Sequence, residues 1–130
     1  MKEIDNLIDC FANSAIIYCD EMTKNADLSN KYYDITTALF FRITECADWI
    51  DSFSKLLKHP HVGVQVTSAY HLLPYRPIYA MYTLLRCSLS NSGTESFNAK
   101  LILEMWLSGH LTFPQMKNGE IVYTKKPKKY

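Results

Sequence analysis

Residues 56–77, LLKHPHVGVQVTSAYHLLPYRP, decide how the chain is read. Pro60 holds its own φ, lacks an N–H and pushes His59 away from the helical region, so a helix reaching Lys58 stops there. From His61 to Leu73, Val62, Val66, Ala69 and Leu73 recur at offsets of 0, 4, 7 and 11. That spacing is one face of a helix, and it outweighs the strand preference of the valines. On this reading His71 lies off the apolar stripe. Pro74 and Pro77 punctuate the next turn, and Pro77 suits the first turn of a further helix holding Ile78, Met81, Leu84, Leu85 and Leu89.

The same period extends to both sides. Between residues 3 and 22, Ile4, Leu7, Ile8, Phe11, Ala15, Tyr18, Cys19 and Met22 line one face of a five-turn helix. Asn25, Asp27, Ser29 and Asn30 interrupt it, and a second helix is expected over about residues 28–46, with Tyr32, Ile35, Leu39 and Ile43 on its main stripe. Asp48 is placed to cap a third helix carrying Trp49, Phe53, Leu56 and Leu57 to Lys58. After the SNSGTES loop, Ser92 and Glu95 have capping-box spacing, and either Ser92 or Thr94 can start a sixth helix that presents Ala99, Ile102, Leu103 and Trp106 and ends at Gly109. Beyond Gly109 the period changes. Leu111, Phe113, Ile121 and Tyr123 flank Asn118-Gly119, a dipeptide suited to a type I′ hairpin turn. The helical part thus spans 1–109, and 110–130 is a C-terminal extension with a hairpin and a solvated, mobile KKPKKY tail.

Two segments look alike. Leu56-Leu57 through Leu73 is echoed by Leu84-Leu85 through Leu103, with Ala69, Leu72 and Leu73 answered by Ala99, Ile102 and Leu103 thirty residues on. Helix pairs that each cover a neighbour's apolar face build stacked repeats. The quoted string, followed by ESFNAKLILEMWLSG, resembles a family of short bacterial proteins with HEAT-like helical repeats, catalogued as a domain of unknown function. The resemblance rests on Asn30-Lys31-x-x-Asp34, Leu56-Leu57, His59-Pro60, Val64, Ala69, Leu72-Leu73-Pro74, Phe97, Ala99, Trp106 and Gly109, and covers about residues 5–109. Gln65 stands where that family tends to be basic, and the hairpin and basic tail depart from its pattern. The resemblance implies an all-α, HEAT/ARM-like superhelix of about six helices and no established catalytic residues. Some proteins of this kind resemble antitoxin or immunity proteins of bacterial toxin systems.

Composition sets the outer limits. The 130 residues are 48% apolar and 21% charged with a net charge of +1, which suits one domain and gives no case from net charge for nucleic acid or a membrane surface. The four cysteines, at 10, 19, 46 and 87, lack paired zinc or redox spacing and read as reduced, buried thiols in a reducing cytoplasm. Glu3, Asp5 and Asp9 break any apolar leader, and no window approaches the roughly 18 apolar residues of a membrane span. His59, His61, His71 and His110 have no acid or cysteine companions at ligand spacing, no glycine-rich phosphate loop is present, and no local motif marks a nucleophile. Neither metal nor cofactor is expected, and nothing supports an enzyme.

The charge is unevenly distributed. Residues 1–51 carry ten acids and four bases, net −6, whereas residues 52–130 carry three acids and ten bases, net +7. The expected role is a cytoplasmic, non-catalytic immunity-type protein that neutralises a basic toxin domain, such as a nuclease, by stoichiometric binding. Its candidate contact residues are Asp20, Glu21, Asp27, Tyr33, Asp34, Glu45, Asp48 and Asp51, since an acidic surface steers a basic partner. The alternative is a nucleic-acid-associated module using Lys117, Lys125, Lys126, Lys128 and Lys129, whose phosphate contacts are strongly salt-dependent.

Overall fold

Most of the polar and proline interruptions become element boundaries in the computed structural model, which describes residues 2–125, although Asp27, Ser29 and Asn30, expected to interrupt the helices, lie inside one. α1 (Glu3–Glu21) buries Ile4, Leu7, Ile8, Phe11, Ala15 and Cys19, with Glu3 and Asp5 in the first turn where carboxylates favour the helix dipole. α2 (Ala26–Ile43) starts earlier than its apolar period suggests, because the Asn25 side chain accepts the Leu28 N–H at 3.1 Å. It also ends three residues sooner than expected, at Ile43. Asp48 does not cap α3 (Trp49–Ser54) with its side chain; it stands at φ 56° and makes the turn itself, in a conformation Asp tolerates better than most residues. The rest of the expected third helix tightens into a 3-10 turn over Lys55–Lys58 before Pro60.

α4 (Val62–Leu72) is capped by the His61 ring, whose Nδ1 accepts the Gly63 N–H at 3.0 Å. α5 (Pro77–Leu89) opens on its proline as read from the sequence. α6 (Thr94–Ser108) lacks the expected capping box: Gly93, at φ 60°, precedes it. Ser96 Oγ takes over, accepting the Ser92 N–H at 3.0 Å and donating to the Ser90 carbonyl at 2.7 Å. Gly109 closes α6 at φ 79°. The two strands, β1 (Phe113–Lys117) and β2 (Glu120–Thr124), pair antiparallel with Phe113 opposite Thr124 and Lys117 opposite Glu120. Asn118 and Gly119 both take positive φ between them, as a type I′ turn requires. The architecture is therefore all-α, six helices with a short C-terminal hairpin. Of the basic tail, residues 126–130 lie outside the described residues.

α1 and α2 pack along each other, α5 lies between α4 and α6 in sequence and touches both, and α4 also meets α1, α3 and α6. A helix contacted from so many sides has almost no outside. His71, read as lying off the stripe, is only 3% exposed. Its ring stacks on Phe40 at 4.2 Å and meets Phe11 edge-on at 5.8 Å, while Phe53 packs on Phe11 at 4.9 Å. One aromatic cluster thus joins α1, α2, α3 and α4. The repeat is visible at Ala69 and Ala99, both fully buried, but Ile102 and Leu103 are only half-buried where Leu72 and Leu73 are sealed. Cys19 and Cys87 are buried, Cys46 is half-buried, and Cys10 is exposed on the solvent stripe of α1 with Asn6 and Asn13, against the expectation for that thiol.

The hairpin is held by the helices. Phe113 stacks on Tyr70 at 5.1 Å and meets Trp106 edge-on, and the Tyr70 hydroxyl donates to the Thr112 carbonyl at 2.6 Å. At the opposite end of α4, closeness is the constraint. A Cβ on Gly63 would stand 2.7 Å from Cys19 Sγ and 2.9 Å from both Cys19 Cβ and His61 Cε1. Helix propensity alone favours Ala over Gly by about 1 kcal/mol. Gly63→Ala is nevertheless expected to destabilise the fold, by about 1–3 kcal/mol of overpacking, with part of the loss recovered in a Cys19→Ala background. Urea unfolding of the three variants checks the sign.

Candidate functional site

The eight residues singled out from the sequence do not form one patch. Asp20 and Glu21 end α1 and Asp27 begins α2, so these three share one end of the helix pair. Glu45, Asp48 and Asp51 follow the other end of α2, which is 18 residues long and so separates the groups by about 27 Å. Asp34 is exposed on α2, between them in sequence. Two of the acids are already engaged: Asp51 accepts from the Arg76 guanidinium at 2.9 Å, and Asp20 lies 3.3 Å from His61 Nε2. Tyr33 faces inward. It is half-buried, its hydroxyl shares a 2.8 Å hydrogen bond with that of Tyr123, and it lines a half-open pocket, or cavity, between the helices.

A different surface stands out. On α5, Ala80, Thr83, Leu84 and Cys87 are buried, while Ile78, Tyr82, Leu85 and Leu89 are 71%, 66%, 48% and 79% exposed. The exposed residues recur at steps of four, three and four and lie on the side opposite the buried ones. The helix is apolar on two sides and covered on one. Beside the stripe a broad groove is lined by Tyr79, Tyr82 and Thr83 and edged by Lys58, Arg76 and Arg86. Arg86 donates to Gln65 Oε1 at 2.9 Å, which orients it along the groove.

The cavity lies where α1, α2, α4 and α6 meet and measures about 240 Å³. Tyr18, Tyr33 and Tyr70 are among its lining residues, and burial is the largest cause raising all three phenols, Tyr18 to about 12. Burial likewise pushes the Cys19 thiol up to about 11, far from the thiolate that nucleophilic chemistry needs. His71 is held neutral, its pKa lowered by burial to about 3. Of the lysines proposed for nucleic acid, Lys117 and Lys125 are exposed at the hairpin, and Lys126, Lys128 and Lys129 lie outside the described residues. Among the described residues no group of three or more His, Cys, Asp or Glu is placed to hold a metal, and no helix is long and apolar enough to cross a membrane.

The His71 shift carries a pH dependence with a definite sign. Its folded pKa lies below the unfolded value near 6.5, so the unfolded chain binds a proton that the native state refuses. The stability is fully present above about pH 6.5 and is lost as pH falls toward 3, by up to about 1.4 kcal/mol per pH unit. His71→Phe, which keeps the ring stacked on Phe40, is expected to remove this slope, and urea midpoints at pH 7 and pH 5 measure the difference. Comparison of the chain with protein-family models, with curated proteins and with solved structures finds no match.

Proposed function

We propose that this protein acts by stoichiometric binding to another protein, as an immunity-type partner that neutralises a toxin domain, and that α5 is the face that holds it. The observation that carries this reading is the exposed apolar stripe Ile78, Tyr82, Leu85 and Leu89. A folded chain spends apolar side chains on solvent in such a regular row mainly where another surface covers them. Aromatic and aliphatic anchors of this kind supply most of the energy of an interface. The groove beside the stripe is edged by Lys58, Arg86 and the Arg76–Asp51 ion pair, so the contact patch on the partner combines apolar side chains with polar groups of both signs.

The acids of the first half have a different part. Separated toward the two ends of α2 and exposed, they act as a field that guides a basic domain toward the protein and do not form a docking patch. Encounter rate and residence time are therefore set by different residues. The resemblance to helical-repeat proteins with immunity-like members supports the same reading.

The test is a pull-down of the chain from its native cells, followed by co-expression with the captured toxin domain, purification and kinetic binding. A one-to-one complex that protects the cell is expected. Leu85→Glu with Leu89→Glu is expected to shorten its lifetime at least tenfold. Neutralising Asp27 and Asp34 to Asn is expected to slow association severalfold at low salt with little effect on dissociation. Absence of a complex, or a complex indifferent to the α5 substitutions, overturns the reading.

A further inference from the structure

The cavity among α1, α2, α4 and α6 has unpaired polar groups in an apolar wall. Val66 and Ile102 give it hydrocarbon surface, and Tyr18, Tyr33 and Tyr70 give it rings. Two lining residues have unmet hydrogen-bonding capacity. His71, only 3% exposed and neutral, makes ring contacts with Phe11, Phe40 and Tyr70 and no hydrogen bond among the described residues. The Thr37 hydroxyl is buried without a partner. Natural proteins rarely leave a sealed hydroxyl such as that of Thr37 unpaired, and the His71 ring, which keeps some accessible surface, can pair with what enters the pocket.

Size and charge narrow what can supply one. An apolar cavity of about 150 Å³ accepts benzene; this one, at about 240 Å³, has room for a second fused ring. Water reaches the pocket, which is half open and has Thr36, Thr67, Asn98 and Glu95 in its lining, but an aromatic guest gains by displacing it from Val66, Ile102 and the tyrosine rings. No lysine or arginine lines the cavity, and the one carboxylate among its lining residues is Glu95. An anion therefore finds no counter-charge. A cation finds none at the His71 side, where the imidazole itself is neutral. Asn98 Nδ2 reaches Met22 Sδ at 3.3 Å, tying α6 to the end of α1 beside the cavity.

We propose that this cavity is a binding site for a small uncharged aromatic compound of one or two fused rings carrying an N–H or O–H group, with His71 as its hydrogen-bonding partner. The rings take the place of water against the tyrosines, Val66 and Ile102. The neutral imidazole, free to be donor or acceptor according to its tautomer, pairs with the ligand's polar group. Binding of this kind is independent of the α5 face, and so of the protein partner proposed above.

Indole is the probe, titrated into the full chain by calorimetry alongside benzoate and benzylamine as charged comparators of similar size. Indole is expected to bind with a dissociation constant of about 1 mM or tighter, and at least tenfold more tightly than either comparator. Ile102→Trp, which fills the space, is expected to abolish binding, and His71→Phe to weaken it at least fivefold while the circular dichroism spectrum stays unchanged. Nuclear Overhauser contacts between indole and Tyr18 or Ile102 in the unmodified protein locate the ligand without any substitution. No heat or contact with indole at millimolar concentration overturns the proposal. So does equal binding of benzoate or benzylamine, or contact only with residues outside the cavity.

Discussion

The stacking of a neutral imidazole on Phe40, at the meeting point of four helices, is the constraint on which the rest of the structure rests. His71 projects from α4 into rings supplied by α1 and α2, and Phe53 from α3 closes the group through Phe11. Each ring buries a large area. The cluster therefore sets the angle at which α4 lies against the first helix pair, and α4 in turn carries α5 and α6. A charge on the imidazole would be ruinous here, since no acid is placed to receive it in the ring contacts observed. The fold thus depends on a group that ordinarily titrates near neutrality being denied its proton.

Much of the fold was legible in the sequence, because local chemistry decides helix ends. Pro60, Pro77, Gly109 and Asn118-Gly119 act through their own backbone geometry, and all four do in the structure what their residue types dictate. The capping assignments fared less well, since Asn25 and Ser96 took tasks for which several nearby Ser, Thr, Asp and Asn residues were equally suited. His71 was misplaced for a deeper reason. A single apolar stripe is the signature of a helix with one covered side, and α4 is covered on several.

The same limit applies to the candidate site. Charge arithmetic finds acids but gives no distances, so it could not show that Asp20 and Asp51 sit near opposite ends of α2 and are each occupied by a neighbour. The sequence places Ile78, Leu85 and Leu89 in one helix with Met81 and Leu84, but apolar periodicity does not say which side of a helix the chain itself will cover. The cavity had no local signature at all. Tyr18, Tyr33, His71 and Ile102 come from four helices, and only their assembly places them around one space.

The C-terminal hairpin gives the molecule an order of events. Contacts among successive helices close short loops, whereas the Tyr33–Tyr123 hydroxyl pair joins residues 90 positions apart and Tyr70–Thr112 spans 42. Loop closure of that length is rewarded only after the helices have assembled, so these bonds form late. An isolated two-stranded hairpin is marginal in water, and these bonds, with the stack of Phe113 on Tyr70, are what hold it. Tyr33 is both a lining residue of the pocket and the anchor of the hairpin, so a bond spanning 90 positions is made at the edge of the space between the helices.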